Sequence, residues 1–188
     1  MIEKTLTTPH GPVIIRPGQE SDAPAYRELR LEALRLHPEA FGADYDHSAR
    51  QPMTFWTDRL RSTGQGSAIY FAGHEDKLIG LCGIYRGSSA KTRHTAVIWG
   101  VYVQAAWRGL KLADELIASC LDWGQEQGVS VVKLAAVTTN VAAIRCYTRC
   151  GFTVYGVEPQ ALRHDGVMYD ELLLARQAAR TAARGYKD

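Results

Sequence analysis

The stretch from Val97 to Trp123 limits what this chain can become more than any other. Val97-Ile98-Trp99-Gly100-Val101-Tyr102-Val103 is β-branched and aromatic, the composition of a strand. After a short connector, Trp107-Arg108-Gly109-Leu110-Lys111-Leu112-Ala113 opens a run with apolar residues at Leu112, Leu116, Ile117, Leu121 and Trp123, an amphipathic helix pattern. Strand, tight loop and helix therefore follow in order. A helix start is an anion site, because its first backbone N–H groups lack internal partners and the helix dipole places partial positive charge there. With Arg108 before the turn, Gly109 allowing close approach and Lys111 in the first turn, this end suits a diphosphate.

The next segment repeats the theme. A strand is predicted from Val129 to Thr138, and Asn140, Ala143, Tyr147, Gly151 and Phe152 then recur with fixed spacing. In this spacing the chain resembles the GNAT superfamily of acyl-CoA-dependent N-acyltransferases. The family's pyrophosphate loop reads Arg/Gln-x-x-Gly-x-Gly/Ala, and a later segment reads Asn-x-x-Ala-x-x-x-Tyr-x-x-x-Gly-Phe. The second segment matches fully. In the first, Arg108, Leu112 and Ala113 fall in place while Lys111 stands where Gly is usual. A Cβ there obstructs the backbone's approach to phosphate, whereas the N–H survives and the ammonium adds a cation, so altered affinity is expected rather than lost binding.

The resemblance spans roughly residues 12 to 175. It implies an α+β GNAT fold, a mixed, mostly antiparallel sheet of about seven strands flanked by about four helices. The expected division is a leader over 1–12, an N-acetyltransferase domain over 13–175 and a basic tail over 176–188.

Composition narrows the function classes. At 188 residues, 46% apolar and 22% charged, the chain has enough length for one sizeable core. A net charge of +2 with interspersed signs gives no case for nucleic acid as partner. No uninterrupted apolar run of ~18 residues suggests a membrane span, and Met1-Ile2-Glu3-Lys4-Thr5 lacks a signal pattern, so a cytoplasmic location is expected. Cys82, Cys120, Cys146 and Cys150 show no zinc or disulfide spacing and read as small apolar residues, Cys146 and Cys150 sharing a helix face; no metal is expected.

Along the chain, Val13 to Pro17 predicts a first strand and Ser21 or Asp22 caps a helix that carries Pro24 in its first turn and stops at His37-Pro38. A loop containing Glu39 and Phe41 runs to Pro52, and Thr54 to Arg61, with Phe55 and Trp56, predicts a second helix. Ala68–Gly73 and Lys77–Tyr85 form a hairpin about His74-Glu75-Asp76. After the central units, strands are predicted over Phe152 to Pro159 and Val167 to Leu174, joined by a loop from Gln160 to Gly166, with a partly helical tail from Ala175.

The resemblance implies acetyl-CoA as cosubstrate. Val101, Tyr102 and Val103 would pair with the pantetheine arm, an N–H near Val103 facing the thioester oxygen. Arg108, Gly109, Leu110, Lys111, Leu112 and Ala113 would hold the pyrophosphate, and Lys91, Arg93 and Lys111 are cations for the 3′-phosphate. Asn140 serves as helix cap and pantetheine partner, with Ala143 beside it. Tyr147, about two turns on at ~3.6 residues per turn, shares that face and is the expected general acid. The base is open: His94, Glu39, Asp170 and Glu171 are candidates, since Ala135 and the Thr95–Val103 run supply no carboxylate.

The expected function is acetyl transfer from acetyl-CoA to a primary amine, on a small molecule, an amino-acid derivative or a protein terminus, by direct attack in a ternary complex. A homodimer follows from the resemblance alone. The rival is a non-catalytic acyl-CoA-binding or interaction module on the same fold. A dinucleotide-dependent oxidoreductase is excluded, because Gly-x-Gly-x-x-Gly is absent and the first half lacks βαβ alternation.

Overall fold

The computed structural model describes residues 3–63 and 66–178. Its strands are β1 (Lys4–Thr8), β2 (Gly11–Pro17), β3 (Ser67–His74), β4 (Lys77–Arg86), β5 (Thr95–Val103), β6 (Val131–Val137), β7 (Thr153–His164) and β8 (Val167–Gln177). They form one eight-stranded sheet in the order β1-β2-β3-β4-β5-β6-β8-β7. Every pairing is antiparallel except β5 with β6. Among the described residues five α-helices cover it: α1 (Ala23–Leu36), α2 (Tyr45–Ala49), α3 (Met53–Arg61), α4 (Leu112–Glu126) and α5 (Val141–Arg149).

Both faces of the central strands are buried, which is why β3 and β4 read as near-continuous apolar runs rather than alternating ones. On one face Leu116, Ile117, Cys120 and Trp123 of α4 pack on Tyr70, Cys82 and Ile84. On the other, Tyr26 and Leu29 of α1 with Trp56 and Leu60 of α3 pack on Ile69, Phe71, Leu81 and Tyr102. The period of two along β3 sends neighbours to opposite cores.

Two irregularities open the sheet at its centre. Pairing of β5 with β6 is confined to Thr95, Ala96 and Val97 opposite Val131, Val132 and Lys133, so the rest of β5 leaves its neighbour. On the other edge of β5, the register slips between Leu81 opposite Tyr102 and Gly83 opposite Trp99, which gives β5 one extra residue there. Gly100 within this bulge has φ +67°, a conformation glycine reaches without Cβ strain. The bulge also changes which residues face which core: Trp99 and Tyr102 both turn toward α1 and α3.

Several expectations are corrected. The expected leader contains β1, a strand with one large apolar residue, Leu6, and three threonines. Asp22 does not cap α1 with its side chain; it takes the Gln19 N–H at 2.8 Å and both Arg16 amino groups at 2.7 Å. The loop before Pro52 holds α2, capped by Asp44, which accepts from the His47 N–H at 2.7 Å. The expected loop from Gln160 onward is strand as far as His164, with a register slip between Glu158 and Leu162 and Gln160 at φ 50°. The tail expected from Ala175 begins as strand, since β8 continues to Gln177 and pairs with Val131; residues 179–188 lie outside the described residues.

The Arg16–Asp22 pair makes stability pH-dependent. Burial alone raises the Asp22 carboxyl, but the hydrogen bonds from Arg16 and Gln19 outweigh it and hold the group below its ordinary value. A depressed folded pKa contributes stability above the unfolded pKa and loses it as pH falls through the folded one. Asp22→Asn is therefore expected to lower the unfolding midpoint at pH 7, with wild type and variant converging below about pH 4. Thermal melts across that range check it.

Candidate active site

Where β5 leaves β6 the sheet opens into a cavity of about 720 Å³, bounded by the second half of β5, the end of β6 and the starts of α4 and α5. Of the residues expected at the site, Val101, Tyr102, Val103, Arg108, Gly109, Lys111, Leu112, Ala113, Asn140, Ala143 and Tyr147 all line it. Leu110 does not, and packs against the α4 core instead.

The loop before α4 keeps its shape despite the departure at Lys111. Lys111 is the N-cap, with φ 59° and ψ 18°, the left-handed conformation that glycine occupies without penalty. Gly109 is also left-handed, at φ +82°. The lysine therefore accepts strain to hold the backbone where an anion-binding turn needs it. Lys111→Gly is expected to stabilise the fold by roughly 1 kcal/mol, read as a raised unfolding midpoint.

Arg108 takes a different position from the one expected of a simple phosphate ligand. Its Nε donates to the Val103 carbonyl at 3.0 Å and its Nη2 donates to His37 Nε2 at 2.8 Å. It thus ties the end of β5 to the end of α1. Tyr102 is fixed in the same way, its hydroxyl donating to Glu32 at 2.7 Å while Gln104 donates to the other Glu32 oxygen at 2.9 Å. Burial and that hydrogen bond push the Tyr102 phenol up to about 12.

Asn140 caps α5 by accepting the Ala143 N–H at 3.1 Å, leaving its amide group for the cavity. Tyr147, two turns on, is 7% exposed, and its ring lies 6.4 Å from that of Phe152 at a tilt of 59°. Burial raises its phenol well above the ordinary tyrosine range, so it is fully protonated at neutral pH.

The candidates for a base and for the 3′-phosphate separate by position. Lys91, Arg93 and His94 precede β5, whereas the α4 loop follows it, and nine residues at ~3.3 Å each lie between. They cannot serve the cavity. Asp170 accepts the Gln160 N–H at 2.8 Å on β8. Glu171 lies opposite Val137, a cavity residue, and its carboxyl is raised by burial and by Glu158 across the hairpin. Glu39 stands 4.0 Å from His37 Nδ1.

Sequence reasoning missed His37, Arg145 and Arg149, which line the cavity. His37 read only as a helix end. The two arginines carried a usable signal, the four-residue spacing that stacks them on one face of α5. Arg149 also grips both oxygens of Asp114, at 2.9 and 3.0 Å. Cys146 and Cys150 share a helix face as expected and lie with Asp114 in one group whose ligand atoms are within 4.8 Å of one another. The Cys146 thiol is raised by its hydrogen bond to Cys150 and by burial, so it sits there as a neutral thiol.

The GNAT acetyltransferase family model matches residues 26–152. A mycothiol acetyltransferase from Sanguibacter keddieii is 31% identical over 150 residues, covering 79% of this chain and 45% of that protein. One from Brachybacterium faecium is 28% identical over 145 residues, covering 76% of this chain and 41% of its own length. The chain thus spans less than half the length of these relatives. Among solved structures, a GNAT acetyltransferase from Streptococcus pneumoniae superposes with TM-score 0.80 at 19% identity, over 88% of this chain and 99% of that one. A Salmonella typhimurium protein solved with its cofactor acetyl-CoA superposes with TM-score 0.74 at 24% identity, over 91% and 96%. Among the described residues no helix is long and apolar enough to cross a membrane.

Proposed function

The chain belongs to the GNAT acetyltransferase family, and on that premise we propose that it moves an acetyl group from acetyl-CoA to a primary amine by direct attack in a ternary complex. One observation carries the reading. The opening between β5 and β6 gathers on one cavity a strand edge free to pair, a left-handed loop at a helix N-terminus, and the Asn140–Tyr147 face of α5.

In this reading the unpaired edge of β5 from Val101 to Val103 holds the pantetheine arm, and an N–H near Val103 polarises the thioester carbonyl. The backbone from Arg108 to Ala113 holds the diphosphate, with Leu110 contributing main chain only. Arg145 and Lys111 are the cations placed for the 3′-phosphate. The amine attacks the carbonyl carbon, the tetrahedral intermediate collapses, and the carbon–sulfur bond breaks as the Tyr147 phenol gives its proton to the departing sulfur. The attacking nitrogen loses its proton to solvent, because the acceptor nitrogen of the one imidazole among the described residues of the wall, His37 Nε2, is already occupied by the Arg108 guanidinium.

Thiol release from acetyl-CoA over a panel of amines tests the reading. Amine-dependent release is expected. Acetyl-CoA binding with no release on any amine would favour the non-catalytic rival. Lys111→Ala should weaken acetyl-CoA several-fold, more at low than at high ionic strength, because an exposed ammonium acts through screened Coulomb attraction; calorimetry in two salt concentrations reads this.

A further inference from the structure

Beside the cavity, between β5 and α1, two guanidinium groups lie together with no acidic partner among the described residues. Arg30 on α1 is 8% exposed, and its Nη1 is fully enclosed without a hydrogen bond. A Cβ on Gly100 would stand 3.5 Å from that nitrogen, so the group abuts the β5 bulge at a residue that lines the cavity. Its Cζ is 4.6 Å from the Phe41 ring centroid and 5.9 Å from Trp99. Arg59 on α3 is exposed, with its Cζ 4.7 Å from Trp99 and 5.2 Å from Phe55. Phe41 and Trp99 line the cavity as well.

This arrangement is costly as it stands. A buried cation normally has a carboxylate or a full set of hydrogen bonds. Here burial, with Arg59 adding to it, pulls the Arg30 guanidinium down to about 10. Arg16, Arg61 and Arg149 each have an ion pair; Arg30 and Arg59 have none among the described residues. Aromatic faces hold a guanidinium flat, and with Nη1 enclosed against β5 the edge of Arg30 left to grip a carboxylate in two places is the one that carries Nε and Nη2.

We propose that Arg30 and Arg59 form an anion subsite that binds a carboxylate on the acceptor, so that the substrate is a small amine that also carries an acid group. The proposal rests on the acetyl-transfer reading above and narrows its acceptor class. The amine end would point from the Trp99 side toward Val103, where β5 meets the thioester. A peptide amino terminus, whose α-carboxyl is an amide, lacks the group the arginines would bind.

The test compares matched acceptors, leucine with isoamylamine and phenylalanine with phenethylamine, by thiol release from acetyl-CoA. Wild type should prefer the acid-bearing member by roughly 30-fold or more in kcat/KM, mostly through KM, as expected for losing charged hydrogen bonds. Arg59→Gln, on an exposed position, should collapse that ratio about tenfold, and Arg30→Lys should lower it further. Equal rates for the two members in wild type, or a ratio unmoved by Arg59→Gln, would overturn the subsite and leave acetyl transfer standing. If no amine releases thiol, the acetyl-transfer reading falls, and the subsite is judged by titrating N-acetylleucine and N-isoamylacetamide into CoA-saturated protein. Preference for the acid supports it; equal or absent binding refutes it.

Discussion

Tyr147→Phe is expected to lower kcat by roughly 100-fold or more while leaving KM for acetyl-CoA within a few-fold of wild type. The ring is retained, so the packing against Phe152 at 6.4 Å survives and binding is little disturbed. What disappears is the proton. Burial holds the phenol protonated across the neutral range, the state an acid must occupy before it acts. The unfolding midpoint should not move, because the hydroxyl makes no hydrogen bond to the described residues. Steady-state kinetics with a saturating amine, beside a thermal melt, separates the roles. An unchanged kcat would assign the thiolate's proton to water and reduce Tyr147 to a packing residue.

Phe152→Ala should give the largest loss of stability, about 3–5 kcal/mol, the usual range for deleting a buried aromatic ring. The side chain is 1% exposed in the α4–α5 core, and its backbone N–H donates to the Tyr147 carbonyl at 3.0 Å. The same residue therefore closes the core and fixes the last turn of the helix that carries the phenol. A fall of roughly 10 °C in unfolding midpoint is expected for a chain of this size, with kcat reduced further than binding. A fall of only a degree or two would mean that the site collapses around the missing ring.

The parts of the fold legible in the sequence were those where a local signal and the tertiary result agree. The β3–β4 hairpin, β5, α4 and α5 follow from β-branched runs, turn residues and apolar periodicity. Strand β1 was not legible, since Lys4-Thr5-Leu6-Thr7-Thr8 buries no residue fully, packs only Leu6 against the core and depends on pairing with β2. The continuation of β7 past Pro159, from Gln160 to His164, was hidden for the opposite reason. Turn-like residues sit inside a strand because the bulge there lets Asp170 take the Gln160 N–H.

At the site, motif spacing was enough to bring the α4 loop and the Asn140–Tyr147 face to one cavity, because each is set by neighbours in sequence. His37, Arg30 and Arg59 were not legible. His37 reaches the cavity through its contact with Arg108, 71 residues away, and Arg30 and Arg59 lie behind its wall, against aromatic rings drawn from the α1–α2 loop, α3 and β5. Sequence order also misplaced Lys91, Arg93 and His94, which are close to the central strand along the chain but at its far end in space.

The central claim is that the opening between β5 and β6 is the acetyl-CoA site. Calorimetric titration of acetyl-CoA into wild type and into Ala143→Trp tests it most directly, since Ala143 lines the cavity at the first turn of α5 and an indole there would fill it. The account predicts micromolar binding by wild type, about 8 kcal/mol, and a loss of 100-fold or more in a variant that stays folded. Absence of binding by wild type, or equal affinity in a folded Ala143→Trp protein, would contradict it.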